Sequence, residues 1–232
     1  MYEAVHARPD GASTVARQAL SAAEYGFDGI VVRNHSDERA TYDRDAIAAE
    51  YDVDVVSGVE VRAEDPSRAS GLVGNARSSE TLVAVHGGDV RMNRFAVEQP
   101  TVDVLAHPMR GDGDFNHVLA AAAAENGVRV EFSLARVLRA EGGSRVRAIQ
   151  DLRKLRELVA DADAPYVVSA DPFTHLQLRA PRELVAVGET VGFEAEAVRA
   201  GLAEWGRLAE RNRDRQSESF VEPGVRLEND DE

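Results

Sequence analysis

Seven short runs of β-branched and other apolar residues recur along the chain and constrain its fold more than any other feature. The predicted strands are Tyr2–His6, Gly29–Arg33, Asp54–Val61, Thr81–His86, Val102–Ala106, Val128–Phe132 and Tyr166–Ser169. The runs Ile30-Val31-Val32 and Tyr166-Val167-Val168 are continuously apolar and do not alternate with polar residues. This pattern is typical of strands buried on both faces, as in a parallel sheet.

Helical patterns separate these runs. The predicted helices are Thr14–Tyr25, Tyr42–Tyr51, Asn116–Asn126, Arg145–Ala162, Pro181–Val187 and Phe193–Asn212. We expect Ser13 to cap the first helix and Ser144 to cap the long one that begins at Arg145. Strands that alternate with helices form βα units. Because no glycine-rich dinucleotide loop follows the first strand, we expect a closed TIM-like α/β barrel of about seven strands and not an open doubly wound sheet.

Length, composition and the lack of a linker predict a single domain. The chain has 232 residues, of which 44% are hydrophobic, so it can bury a full core. Residues 1–212 show neither a repeat nor a linker, whereas residues 213–232 lack periodicity and predict a disordered acidic tail. No run reaches the ~20 apolar residues of a membrane span, and the N-terminus does not resemble a signal peptide. The chain has no cysteine, which excludes disulfides and thiolate chemistry. These features predict a cytoplasmic protein without a membrane partner.

The charge pattern predicts a salt-rich cytoplasm. The chain has 41 acidic residues against 27 basic ones, a net charge of −14, and Lys154 is its single lysine. Dense carboxylates retain water and hydrated cations, while molar salt shortens the Debye length to ~3 Å and screens their repulsion. We therefore expect a halophilic, archaeal source. An ordinary acidic protein from a low-salt organism is the alternative, and full stability in dilute buffer would favour it.

Histidines cluster where the predicted strands end. Five of the six fall at or just beyond the end of a strand: His6, His35, His86, His107 and His175. Glu60 and Asp171 occupy similar positions. In a βα barrel these ends converge on the face where active sites are built, and imidazoles with carboxylates can bind metal and activate water there. The alternative is that each histidine serves packing or hydrogen bonding.

Several of these segments resemble motifs of the polymerase-and-histidinol-phosphatase (PHP) superfamily. They are Gly29-Ile30-Val31-Val32-Arg33-Asn34-His35, Gly58-Val59-Glu60, Val85-His86, Leu105-Ala106-His107-Pro108 and Ala170-Asp171. The resemblance implies a distorted barrel in which such residues bind two or three metal ions. This sequence departs from it at Ala4, Asn34 and Phe173, where the superfamily has metal ligands. We therefore expect no bound metal and at most a vestigial site, formed by His6, His35, Glu60, His86, His107 and Asp171.

A longer series of segments resembles the archaeal ribonuclease P protein component 3 family, which is related to the PHP superfamily. It runs from Asp103-Val104-Leu105-Ala106-His107-Pro108 through Val128–Leu134 and Val167–Asp171 to Val191-Gly192-Phe193. The resemblance implies that the chain is a subunit of an RNA-based endonuclease that removes the 5′ leader of precursor tRNA. In it, the RNA cleaves with Mg²⁺, while this chain and component 2, with the other archaeal protein subunits, shape the ribonuclease P RNA. The resemblance therefore assigns no catalytic residue and no cofactor to the protein itself.

One segment reverses the charge of the chain. Residues 129–156 contain eight basic and three acidic residues, a net charge of +5, whereas the rest of the chain has a net charge of −19. Phosphate binding needs such a local reversal. The candidate RNA-binding residues are Arg136, Arg139, Arg145, Arg147, Arg153 and Lys154, with Arg33 and Arg110 as weaker candidates. A solvated helix face with internal pairs such as Arg147–Asp151 is the alternative.

Three functions remain open at this point. A ribonuclease P subunit that binds RNA is the leading hypothesis. A metal-dependent phosphoesterase that acts alone on small phosphate esters is the second, and a plain protein-interaction barrel is the third. Aromatic residues make up 6% of the chain, so we expect recognition of RNA shape and backbone, since few side chains are available for base stacking.

Overall fold

A computed structural model describes residues 1–111, 114–217, 220–222 and 225–226. Seven strands form one parallel sheet in the order β1 to β7: β1 Tyr2–Val5, β2 Gly29–Val32, β3 Asp54–Val61, β4 Leu82–His86, β5 Val104–Ala106, β6 Arg129–Ser133 and β7 Tyr166–Ser169. Each strand pairs with the next along the chain. The sequence-based prediction of a parallel α/β barrel is confirmed, with strand ends that differ by no more than two residues.

Helices connect and cover the strands. They are α1 Val15–Glu24, α2 Arg44–Tyr51, α3 Pro66–Arg77, α4 Val90–Val97, α5 His117–Asn126, α6 Ala135–Arg139, α7 Gly142–Asp161, α8 Pro181–Val191 and α9 Ala195–Gln216. Helices α3, α4 and α6 were not predicted from the sequence. Helix α3 contains Gly71 and Gly74 and buries only small residues, so its hydrophobic period is weak, and α4 and α6 are short. No helix within the described residues is long and apolar enough to span a bilayer.

The two predicted serine caps were wrong. Thr14 caps α1, because its side chain accepts a hydrogen bond from the Arg17 amide. The Ser13 hydroxyl instead lies 2.8 Å from Nδ1 of His175. Helix α7 begins at Gly142, so Ser144 lies inside its first turn. The buried residues of α7 are Ala148, Leu152, Leu155 and Val159, which lie on one face of the helix.

Alternation along the strands produces two cores. One core, with Ile30, Val32 and Val130 among its members, lies between the sheet and the surrounding helices. The other core lies inside the barrel and combines small strand residues with one face of α9. Its buried members are Ala4, Val31, Val56, Leu82, Ala84, Val104, Val167, Trp205, Leu208 and Ala209.

Helix α9 also covers the seam of the barrel. Within the described residues no ladder joins β7 to β1, so the barrel is nearly closed, not fully closed. The indole Nε1 of Trp205 donates to the carbonyl oxygen of Val168 at 2.9 Å, which satisfies a polar group of β7. The Glu3 carboxylate bridges the same seam, because it accepts hydrogen bonds from the Ser169 hydroxyl and the Ala170 amide. Side-chain hydrogen bonds thus stabilise the seam between β7 and β1, whereas backbone hydrogen bonds connect the other neighbouring strands.

The last helix continues beyond the predicted boundary of the domain. It runs to Gln216, and Arg213 pairs with Asp54 of β3 at 2.8 Å. Residues 220–222 and 225–226 form two short antiparallel strands, β8 Phe220–Glu222 and β9 Val225–Arg226. The other residues of the predicted acidic tail beyond Ser217 lie outside the described residues.

Glu3 makes the stability of the barrel depend on pH. Complete burial raises the pKa of Glu3 from its ordinary 4.5 to about 7, although Ser169 and Ala170 bond to it. Below pH 4.5 the carboxyl is protonated in both the folded and the unfolded chain. As the pH rises to 7, only the unfolded chain releases the proton, and the free energy of unfolding falls by about 3 kcal/mol.

A Glu3→Gln variant should lack this loss, because an amide cannot ionise and retains an acceptor oxygen. Urea unfolding at pH 5 and pH 8 measures the difference between the variant and the wild type. The exposed Glu125→Gln is the matched control, since it removes a surface carboxylate. Parallel pH profiles for the wild type and Glu3→Gln would contradict this role of the buried carboxyl.

Candidate functional site

The carboxyl ends of the strands hold a ring of ionisable side chains, of which His86 and His107 are half-buried and the others are buried. They come from or just after β1 to β7, and they are His6, Arg33, His35, Glu60, His86, His107, Glu131 and Asp171. Residues two apart on a strand share a face, so His6 and Arg33 continue the inward-facing series begun by Ala4 and Val31. Four of the five predicted histidines therefore meet, whereas His175 bonds to Ser13 away from the ring.

Asp10 fixes the orientation of two of these imidazoles. Its carboxylate lies 2.6 Å from Nδ1 of His6 and 2.9 Å from Nδ1 of His35, and it also accepts from the His35 amide. The Nε2 atoms of both rings consequently point toward the other members of the ring. Burial opposes charge on His35, but the bonds to Asp10 and Glu60 raise its pKa from 6.5 to about 9. Bonds from both histidines hold the pKa of Asp10 below its ordinary value despite burial.

Glu60 lies at the centre of the ring. Its Oε1 pairs with Nδ1 of His86 and lies 3.6 Å from Nε2 of both His35 and His107. Burial alone would raise the pKa of Glu60, yet the Arg33 guanidinium and His107 hold it well below its usual range. The carboxylate is therefore ionised although it is fully buried.

Arg33 is the fixed cation of the ring. Its Nη2 lies 2.7 Å from Oε1 of Glu131 and 2.8 Å from Oδ1 of Asp171, and its Nη1 lies 3.4 Å from Oε2 of Glu60. The side chain is 1% exposed, so the prediction of Arg33 as an RNA contact was wrong. Alternation along β2 turns residue 33 into the barrel and away from solvent.

Two residues of the ring have unusual backbone conformations. His107 has a φ of 52° and Asp171 a φ of 50°, in the left-handed region that non-glycine residues seldom occupy. The His107 amide donates to Glu131, and the Asp171 amide donates to the Ser169 hydroxyl. Such strain persists only where the surroundings enforce it, and it concentrates at functional positions.

The three departures from the PHP motifs have structural roles. Asn34 bonds to the backbone of Ala7 through both its oxygen and its nitrogen, and to the carbonyl of Glu38. Phe173 stacks on the His6 ring with centroids 4.1 Å apart. Ala4 belongs to the apolar core inside the barrel. These three positions support the ring without contributing a metal donor.

The remaining donors fit a single ion better than a cluster of ions. Among the residues that the structure describes, two triads have ligand atoms close enough to share one ion, His6 with Asp10 and His35, and His35 with Glu60 and His86. Both triads need His35. Arg33 lies among Glu60, Glu131 and Asp171, so the carboxylates that a second or third cation would require already face a fixed positive charge. The side chains present therefore do not fit a multinuclear metal centre.

A cleft opens next to this ring, and we call it the strand-end cleft. It has a volume of about 840 Å³ and its floor includes His107, Glu131 and Asp171. Apolar residues, among them Met109, Ala148 and Leu152, form part of its wall. Its cationic residues are Arg110, Arg136, Arg147 and Lys154, all exposed.

The match to a family model covers nearly the whole chain, because residues 1–217 fit the family described as RNase P subunit p30. The chain belongs to the ribonuclease P subunit p30 family. It is 72% identical over 230 residues to ribonuclease P protein component 3 of Haloarcula marismortui, covering 99% of this chain and 98% of that protein. The family resemblance stated from the sequence is thereby confirmed.

Solved structures agree with the barrel fold. A chain in the cryo-EM structure of archaeal ribonuclease P with mature tRNA superposes with a TM-score of 0.83 at 23% identity, covering 100% of both chains. Histidinol phosphate phosphatase from Lactococcus lactis, in complex with zinc, L-histidinol and phosphate, superposes with a TM-score of 0.58 at 11% identity, covering 83% of this chain and 94% of that one. Both matches concern the fold alone at these identities.

In this p30-family chain, the predicted basic residues divide into two groups. Arg110, Arg136, Arg147 and Lys154 line the cleft, and Arg145 is exposed at the start of α7. Arg145 also donates to the carbonyl of Ala140. Arg139 donates to the carbonyls of Ala170 and Asp171, and Arg153 to those of Thr190 and Val191. Arg139 and Arg153 thus stabilise backbone that lies far away in the sequence. The structure pairs Asp151 with Arg136 at 3.1 Å, which replaces the Arg147–Asp151 pair considered above.

Asp10, which contacts the ring, and Glu131, which belongs to it, were not predicted from the sequence. Asp10 lies in a loop that was considered only as a possible dinucleotide loop, and Glu131 was counted only as an acid within the basic window. An available signal for Glu131 was its position on a predicted buried strand, where a charged residue needs a partner. The structure shows why the loop that positions Asp10 contains Gly11: a Cβ there would lie 2.3 Å from the carbonyl oxygen of His6.

Proposed function

We propose that this chain is the component 3 subunit of a cytoplasmic ribonuclease P, which removes the 5′ leader of precursor tRNA. The catalytic RNA cleaves with Mg²⁺, and the chain binds and stabilises that RNA together with component 2 and the other protein subunits. Family membership and the identity to haloarchaeal component 3 support this proposal. No side chain of this protein is assigned a catalytic role.

The charge of the strand-end cleft supports RNA binding most directly. Four cationic residues line it, although the chain has a net charge of −14. Asp114 and Asp151 share the lining, where they pair with Lys154 and Arg136. Within the described part of the chain, Arg147 has a hydroxyl partner, Ser144, and no carboxylate partner. The outer part of the cleft thus offers four positive charges against two negative ones to a phosphate backbone, while the carboxylates of Glu131 and Asp171 on its floor face Arg33.

Arginine suits this site because of its geometry. The planar guanidinium binds a phosphate through two hydrogen bonds, and this advantage persists when salt weakens the release of counterions. A cleft of about 840 Å³ also exceeds what one phosphate needs. We therefore assign the cleft to a stretch of RNA backbone that approaches the open end of the barrel.

A stand-alone phosphoesterase is the second candidate, and the two overlapping donor triads are the observation that favours it. Such an enzyme would hold an ion near His35 and Glu60 and would hydrolyse a small phosphate ester bound in the cleft. The position of Arg33 among three carboxylates opposes this function, because it leaves little negative charge for a catalytic ion cluster.

Two measurements on the purified chain distinguish the candidates. Titration with ribonuclease P RNA should give saturable binding, with higher affinity than for a duplex RNA of the same length. Hydrolysis of p-nitrophenyl phosphate in Mn²⁺ should remain at the background rate. Turnover that is lost in a His107→Ala variant, without preference for ribonuclease P RNA, would contradict the proposal and favour the phosphoesterase.

A further inference from the structure

We infer that the Arg33 guanidinium takes the place of a metal ion in this barrel, and that its removal opens a latent divalent-cation site. The donors of that site would be His6, Glu60, Glu131 and Asp171. This inference concerns the interior of the barrel and goes beyond the proposed RNA-binding function.

The arrangement of unsatisfied atoms is the first observation. Several buried polar atoms have no hydrogen-bond partner in the described residues, and those around the guanidinium are Nε2 of His6, Oε2 of Glu60, Oε1 of Glu131, and Nε and Nη1 of Arg33. Burial leaves such atoms dependent on direct electrostatic attraction. The atoms of His6, Glu60 and Glu131 among them are of the kinds that bind metal ions, and the cation in their midst is the Arg33 guanidinium.

Distances place these donors within one small volume. Nε2 of His6 lies 3.1 Å from Oδ1 of Asp171 and 3.7 Å from Oε2 of Glu60. Oδ1 of Asp171 is also the atom that accepts from Nη2 of Arg33 at 2.8 Å. An imidazole nitrogen and carboxylate oxygens so close together form a donor set that zinc and manganese prefer. The guanidinium pairs with the three carboxylates, and the His6 imidazole lies beside two of them.

The charge balance explains why this cation is needed. Glu60, Glu131 and Asp171 are buried inside the barrel. Burial opposes ionisation of Asp171, but His107 and Arg33 hold its pKa below the usual range. Without a compensating cation, several buried carboxylates would repel one another. Arg33 supplies a permanent charge whose presence does not depend on a supply of metal.

The guanidinium is held in place from the opposite side by α9. Its Cζ lies 5.5 Å from the ring centroid of Trp205, which is 1% exposed. A cation above an aromatic face is attracted by the ring. The Arg33 guanidinium thus lies between the Trp205 ring and the carboxylates, and this packing leaves no room for an ion beside it. Occupation by Arg33 and by a divalent ion is mutually exclusive in this volume.

An Arg33→Ala variant tests the inference. The wild type, Arg33→Ala and Arg33→Lys are stripped with EDTA in molar KCl and titrated with Zn²⁺ and with Mn²⁺. We expect Arg33→Ala to bind about one ion per chain at least tenfold more tightly than the wild type. Saturating ion should raise its Tm by roughly 5–10 °C. Arg33→Lys should resemble the wild type, because it keeps the charge in place.

Two controls connect the bound ion to the named donors. Arg77→Ala removes another part-buried arginine, whose carboxylate partner Asp103 also pairs with Arg211, so it should gain no metal affinity. Adding Asp171→Asn to Arg33→Ala should abolish the gain, since it removes a shared donor. RNA affinity, measured in parallel, should not change with metal affinity, so this test can fail without affecting the proposed function.

Equal ion affinity of the wild type and Arg33→Ala would overturn the inference. If Arg33→Ala does not fold without metal, the Arg33→Ala, Glu131→Gln double variant reduces the uncompensated charge and is titrated in its place. We expect Zn²⁺ to promote folding of either variant. Failure of both variants to gain a bound ion, including failure to fold in its presence, would also overturn the inference.

Discussion

Reversal of the four cationic residues of the strand-end cleft to glutamate lowers the affinity for ribonuclease P RNA by roughly 100-fold or more, at the lowest KCl concentration in which the chain is folded. The variant carries Arg110→Glu, Arg136→Glu, Arg147→Glu and Lys154→Glu. These side chains are exposed and line one cleft, so the change acts on a single surface. Binding is measured by titration at several KCl concentrations. The slope of log affinity against log salt should become shallower by roughly one for each lost phosphate contact.

The matched control reverses four exposed arginines away from the cleft, namely Arg91, Arg94, Arg182 and Arg199. It changes the net charge by the same amount, so it measures the effect of long-range repulsion. Arg139 is kept in both variants because it holds the backbone after β7. Equal losses of affinity in the two variants would reject the cleft as the RNA site and leave only a general charge effect. Retained Tm values confirm that both variants fold.

Replacement of Trp205 by alanine should reduce the free energy of unfolding by about 3–5 kcal/mol, the cost of deleting a buried aromatic ring. This ring fills the barrel interior, donates to Val168 on β7 and lies beneath the Arg33 guanidinium. Loss of the ring would leave a cavity in the inner core and an unsatisfied carbonyl at the seam. Urea unfolding in constant KCl measures the change without altering ionic strength.

A Trp205→Phe variant separates the two contributions. Phenylalanine keeps an aromatic ring inside the barrel but lacks the indole N–H, so we expect a smaller loss of about 1–3 kcal/mol. Replacement of the exposed Leu176 by alanine is the control for removal of a large apolar side chain. A loss of less than about 1 kcal/mol in the free energy of unfolding for Trp205→Ala would contradict the role of α9 in filling the interior of the barrel.

The barrel could be predicted because its strands carry a strong local signal. Ile30, Val31 and Val32 are buried, as are Val167 and Val168. Continuous apolar runs of this kind predict a buried strand without knowledge of its neighbours. The helices that were missed lack such a signal. Helix α3 buries only Ala69, Val73 and Ala76, so tertiary contacts and its Asp65 cap determine it more than periodicity does. The role of α9 inside the barrel also depends on contacts with distant strands.

The site could be predicted only in part, for a related reason. Because the carboxyl ends of the strands converge in a barrel, the sequence predicted that His6, His35, His86 and His107 lie together. It could not decide whether Arg33 faces solvent or the interior, because one residue of strand register reverses that choice. Arg139 and Arg153 were indistinguishable from Arg147 by sequence, since their carbonyl partners come from segments about thirty to forty residues away. Pairing across such separations depends on the folded chain.

Reconstituted cleavage of precursor tRNA tests the central claim most directly, namely that this barrel serves as an RNA-binding subunit of ribonuclease P. Ribonuclease P RNA and the partner protein subunits are assembled in Mg²⁺ with the wild type, with the cleft variant, or without this chain. We predict that the wild type restores cleavage, whereas omission and the cleft variant both leave it impaired at limiting protein concentration. Equal cleavage rates in all three assemblies would contradict the claim.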